Sequence, residues 1–224
     1  MDKLYQQGFT LIEVMVAMTI MALIGVMSWA GLDVMVRSQH AMQTQASYSA
    51  QMQVALQQWM LDLDQAWRPA GTEPMGWDGK VFRLTRRASQ PELGVTVVAW
   101  AVRDSGQGSH LMRWQSPAFI RMEQWKQAWD QAANWGRSTS AEQGVRLLPA
   151  LKMDIFSWAG DAWVNAQSSD ASALGYERKN GLSGLLRQGR QQLQHANGLR
   201  MQLTTPNGTL TKDWAALTVS EAKQ

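Results

Sequence analysis

The sequence predicts an α+β fold: a long N-terminal helix, apolar in its first half, packed by its last third on an antiparallel β-sheet. Three observations lead there. Residues 14–32, between Glu13 and Asp33, carry no charge and are largely apolar. Behind them Met52, Leu56, Trp59, Leu63 and Ala66 recur at i, i+4, i+7, i+11 and i+14, one face of an amphipathic helix. Beyond Arg68-Pro69 the chain breaks into short apolar runs punctuated by Gly, Pro and Asn, the pattern of strands and hairpins.

The uncharged run of 19 residues from 14 to 32 would span roughly 28 Å as a helix, about the hydrocarbon thickness of a bilayer. It opens on a carboxylate, Glu13, five residues after Gly8. A secretory signal peptide would explain the apolar run, and Ser28-Trp29-Ala30 could pass for a small-x-small cleavage site. The run is longer than a usual signal core, however, and residues 1–8 hold one Lys against one Asp. A plain signal anchor asks for no particular residue at position 13. A carboxylate in a membrane segment carries a penalty of about 2.5–3.5 kcal/mol when central and less near the interface, so it calls for a partner. Cleavage after Gly8 would make Phe9 a new N-terminus, with its amine one helical turn from Glu13 and within reach of a neighbouring subunit's Glu13. The helix N-terminus favours the negative charge as well.

Composition narrows the remaining classes. A chain of 224 residues suits one domain, or one domain with a helical appendage. The net charge is +3 and the pI about 9.4, with no run of five Lys or Arg, so nothing points to nucleic acid. The absence of cysteine excludes disulfides, zinc–thiolate sites and cysteine nucleophiles, and fits an oxidising compartment. Tryptophan is abundant at 12, and His40, His110 and His195 each stand alone.

Gly8-Phe9-Thr10-Leu11-Ile12-Glu13, followed by Val14-Met15-Val16-Ala17, resembles the type IV prepilin cleavage and methylation motif. The resemblance implies cutting between Gly8 and Phe9 by a prepilin peptidase, N-methylation of Phe9, and use of Glu13 in subunit recruitment and assembly. The leader departs from the pattern in having Gln6-Gln7 before Gly8, with Lys3 further off, so orientation rests on a small charge bias.

One helix is expected over residues 9–67, ended by Arg68-Pro69; residues 9–32 span the membrane and 33–67 form the amphipathic half. Residues 68–224 form the globular antiparallel β domain. Residues 70–79 read as a loop and 81–86 as a strand. Residues 95–103, apolar on both faces, suit a central strand, and 110–115 its hairpin partner. The Trp-rich insert 117–144 carries Trp125, Trp129, Ala132 and Ala133 at helical spacing; its rings are expected to cover the sheet edge rather than form a partner surface. Residues 137–144 and 167–184 read as polar loops, and 185–194 is ambiguous. Strands are expected near 152–158 and 161–166. Leu199, Met201 and Leu203 alternate with Arg200, Gln202 and Thr204, then Pro206-Asn207-Gly208 signals a turn into a last strand over 209–217 and a frayed tail.

Sites of chemistry are not evident. There is no phosphate-binding glycine loop, HExxH or GxSxG, so no catalytic residue, cofactor or metal site is assigned. Asp62 and Asp64, i and i+2 on the helix, face different ways. Asp154, Asp161 and Asp170 could meet in loops around calcium but lack EF-hand spacing. Arg86-Arg87 reads as a solvated strand end.

Residues 29–38, the Leu56–Leu63 stretch with Asp64-Gln65, and the 199–203 strand with Asn207-Gly208 are similar to the type II secretion minor pseudopilins called GspJ, PulJ or XcpW. The Trp-rich segment 122–135 departs from that pattern. The resemblance implies a pilin-like fold and a non-enzymatic structural component at the tip of a periplasmic pseudopilus. Its implied partners are the I, K and H minor pseudopilins, the major pseudopilin and the prepilin peptidase, in the inner membrane. The alternatives are a PilW-like minor pilin of a type IV pilus and a membrane-anchored periplasmic binding module that never polymerises.

Overall fold

The structure, a computed structural model, describes residues 9–68, 72, 74–104, 106, 108–138, 144–159, 161–166 and 198–215. It has the α+β order expected: a long helix followed by antiparallel sheets. The chain divides into two compact units, residues 1–50 and 51–224. The leader, the segments 167–184 and 185–194 and the C-terminal tail lie outside the described residues.

Helix α1 spans Leu11–Asp64. It stops where Gln65 and Ala66 tighten onto Leu61 and Leu63, and the chain then bridges the sheet at Ala66 opposite Arg86. In the first unit every residue from 9 to 47 is exposed. The first charges past the apolar run, Asp33 and Arg37, pair along the helix at 2.6 Å.

The second unit begins with the last turns of α1. Strands β1 (Met75–Trp77), β2 (Val81–Arg87), β3 (Val95–Asp104), β4 (Ser109–Gln115) and β5 (Val145–Pro149) form an antiparallel sheet in sequence order. The stretch expected to be a loop up to residue 79 therefore holds a strand, because Met75, Gly76 and Trp77 pair with Leu84, Arg83 and Phe82 and are buried. A second sheet has the order β7-β6-β8-β9, from β6 (Lys152–Ala159), β7 (Ala162–Asn165), β8 (Gly198–Thr205) and β9 (Gly208–Ala215). Its β8–β9 hairpin turns at the predicted place, with Thr205 opposite Gly208.

Period-two alternation assigns the faces. Phe82, Leu84, Val98, Trp100 and Leu111 of the first sheet share a core with Ala55, Trp59 and Leu63 of α1 and with Met153, Ile155, Leu199, Met201 and Leu203 of the second sheet. The intervening residues Val81, Val97, Ala99, Ala101, Met112 and Trp114 form a second core under α2 (Met122–Arg137). Trp125, Ala128, Trp129, Ala132 and Trp135 line the buried side of α2. The helix covers a face of the first sheet over β2 and β3 rather than its edge, because the short side chains of Ala99 and Ala101 leave room for it.

That approach is close. A Cβ on Gly136 would lie 2.0 Å from Cγ2 of the fully buried Val81. Alanine improves helix propensity by about 1 kcal/mol, but forcing a methyl into a packed core costs about 1–3 kcal/mol. Gly136→Ala is therefore expected to lower the thermal midpoint, and adding Val81→Ala to recover part of the loss. Thermal denaturation of both variants checks this.

Candidate functional site

The segment with a functional signature starts α1. Gly8 lies outside the described residues. Phe9 is exposed, and Thr10 sits just before the first helical residue, Leu11. Thr10 donates twice to Glu13 Oε2, from its backbone N–H at 2.9 Å and from its hydroxyl at 2.8 Å. Thr10-Leu11-Ile12-Glu13 thus forms the carboxylate half of a capping box, in which the third helical residue reaches back to the N-cap amide. The carboxylate has local hydrogen bonds at the positive end of the helix dipole.

Around it the helix surface is apolar. Thirteen large apolar side chains between Phe9 and Met27 are exposed, and the apolar span buries nothing within the chain. Moving such side chains out of water contributes about 1.5–3 kcal/mol each, on the order of 20 kcal/mol in all. The penalty for one carboxylate near the end of the span is about 3 kcal/mol at most. The balance favours membrane anchoring, and α1 is long and apolar enough to cross.

Residues 3–29 match the family model of the prokaryotic N-terminal methylation motif. No curated protein and no solved structure matches the chain. The methylation motif takes in Gly8, Phe9 and Glu13 and ends inside the apolar run. Thr10 had not been singled out in the sequence, although the Thr-x-x-Glu spacing is a readable sign of a cap.

The other unexpected cluster lies at the far end of α1. The i, i+2 spacing says of Asp62 only that it faces a different way from Asp64; in the fold it is fully buried. Its Oδ1 accepts from Gln58 Nε2 at 3.0 Å, from Arg86 Nη1 and from Arg113 Nη2 at 2.8 Å. Its Oδ2 accepts from Arg113 Nε at 2.7 Å and from Trp100 Nε1 at 2.9 Å. Arg86 is thus not a solvated strand end: at position 86 the alternation of β2 points to α1, where Asp62 compensates its charge. Arg87, on the opposite face, stacks over Trp67 with Cζ 3.9 Å from the ring centroid. Asp64 does point elsewhere, accepting from Trp214 Nε1 of β9 at 2.7 Å. The last turn of α1 is therefore tied to the first sheet through Asp62 and to the second through Asp64. Asp62 is one residue before Leu63 and three after Trp59, so it lies on the buried stripe; that position was its sequence signal.

The carboxylates considered for calcium are dispersed among other roles. Asp154 pairs with Lys152 at 2.8 Å, Asp161 sits in a turn with φ 70°, and Asp170 lies outside the described residues. On the outer face of the second sheet, Arg200 donates to both carboxylate oxygens of Asp213 at 2.6 Å. These hydrogen bonds hold the Asp213 carboxyl below its ordinary range and raise the Arg200 guanidinium above its own.

Removing Asp62 alone leaves two nearly buried guanidinium groups without their carboxylate. Asp62→Ala is expected to destabilise the second unit by about 3–5 kcal/mol, the usual cost of breaking a buried pair from one side. Denaturant unfolding followed by tryptophan fluorescence measures it.

Proposed function

We propose that this chain is a minor pseudopilin of a type II secretion system, of the J type, acting at the pseudopilus tip to prime filament assembly. It is a structural component rather than an enzyme. The observation that carries the reading is the methylation motif over residues 3–29, set at the head of one apolar helix. Two further features support it: a helix ending on antiparallel sheets, and a carboxylate at the helix start whose local donors leave it able to take another.

In this reading prepilin peptidase cuts between Gly8 and Phe9 on the cytoplasmic side, and Phe9 becomes N-methylated. Residues 9–32 anchor the chain in the inner membrane, with the globular unit in the periplasm. Glu13 then meets an N-terminal amine, either its own or that of a neighbouring subunit. The I, K and H minor pseudopilins and the major pseudopilin are the partners. A buried amine–carboxylate pair fixes axial register, since a shifted neighbour would leave an unpaired charge in the membrane. Ala17, Ala22, Gly25, Ala30 and Gly31 allow close helix approach there.

Mass spectrometry of the membrane-extracted protein is expected to find methylated Phe9 at the N-terminus; Met1 or Gly31 in that place rejects the reading. Co-expression with the other minor pseudopilins is expected to yield a complex that Glu13→Ala weakens at least tenfold. Capture by pilus proteins instead would favour the PilW-like alternative. Unchanged assembly by the Glu13 variant would favour a binding module that does not polymerise.

A further inference from the structure

We propose that the Asp62 cluster is a register lock: it selects one seat for the last turns of α1 on the two sheets, while apolar contacts supply the stability of that seat. The apolar stripe by itself is permissive. Met52, Ala55, Leu56, Trp59, Met60 and Leu63 follow one another at helical spacing, and Leu56 and Met60 are only partly buried. A slide of one turn, ~5.4 Å, or a rotation of one residue, ~100°, would still present apolar atoms to Phe82 and Trp100. Methionine adapts to such changes better than most core residues.

Asp62 cannot follow such a displacement. Apart from Gln58 on the helix itself, its donors come from three adjacent strands: Arg86 on β2, Trp100 on β3 and Arg113 on β4. The guanidinium side chains of Arg86 and Arg113 are 9% and 12% exposed, and among the described residues both form their ion pair with Asp62. Every other seat strands two positive charges in the interior. A single buried polar residue fixes coiled-coil register in the same way, at some expense of stability. Asp62 is thus a positioning residue, and it determines which sides of residues 51–64 stay outward for a neighbour.

The test removes the whole cluster rather than half of it. Two full-length triple variants are made, Asp62→Leu/Arg86→Met/Arg113→Met and Asp62→Met/Arg86→Leu/Arg113→Leu, in detergent with 15N-labelled tryptophan. Both are expected to fold with a thermal midpoint close to the parent's, lowered only by the Trp100 indole N–H that loses its acceptor. Trp59 and Trp100 are each expected to show two or more indole N–H signals where the parent shows one. A single signal for each ring in the variants overturns the lock. Failure of both variants to fold overturns it too, because the cluster would then be needed for stability itself. The second readout rests on the assembly function proposed above: capture of the other minor pseudopilins should fall at least tenfold, and undiminished capture counts against the lock. If the parent captures none, the assembly function fails, while the indole signals still decide the lock.

Discussion

A carboxylate sealed inside a protein survives only if its charge is met, and five donors meet that of Asp62. The surrounding structure depends on this convergence. Two arginines can point into the core from β2 and β4 because the helix brings one acid between them. Trp100 can lie edge-on to Trp59, ring centroids 5.5 Å apart, because its indole N–H has an acceptor at the same place. In a medium less polar than water each of these hydrogen bonds is stronger, and leaving any of them unmade is more costly.

The abundance of tryptophan has a related explanation. Among the described residues, four arginines stack on tryptophan rings: Arg83 on Trp129, Arg87 on Trp67, Arg103 on Trp135 and Arg200 on Trp163. Arg83 and Arg103 sit under α2 and donate to the carbonyls of Trp129 and Ser138. Burial pushes the Arg103 guanidinium pKa down. Indole faces thus meet the cations that alternation directs under α2, Arg83 and Arg103, and Arg83 also lies 3.9 Å from Asp78. The Trp-rich segment 122–135 is the one that closes this face.

What the chain disclosed in advance followed physical locality. The long helix, the central strand β3, the β8–β9 hairpin and the amphipathic α2 are governed by periods of 3.6 or two residues and by a turn signal, all contained in neighbouring residues. The short β1 was hidden because three residues flanked by Pro and Gly gain strand character only from their partner, β2. The Asp62 cluster was hidden for a similar reason: its members lie up to 51 positions from Asp62. An acid on an apolar stripe and arginines in strands each look solvated until the fold brings them together. At the other end of the helix, the methylation motif was legible because it is contiguous, whereas the Thr10–Glu13 cap, also contained in four neighbouring residues, was not read there.

Coverage differs between the two sheets, and it sets the order in which the second unit loosens. Strand β3 is hydrogen-bonded on both edges, and both its faces are covered, by α1 and α2. Its amides should exchange with solvent only when the whole unit opens. Among the described residues the outer strands of the second sheet, β7 and β9, have one neighbour each, and Thr209, Thr211 and Asp213 on β9 face water. Their amides should exchange through small local openings, leaving the seat of Asp62 among the last regions to yield.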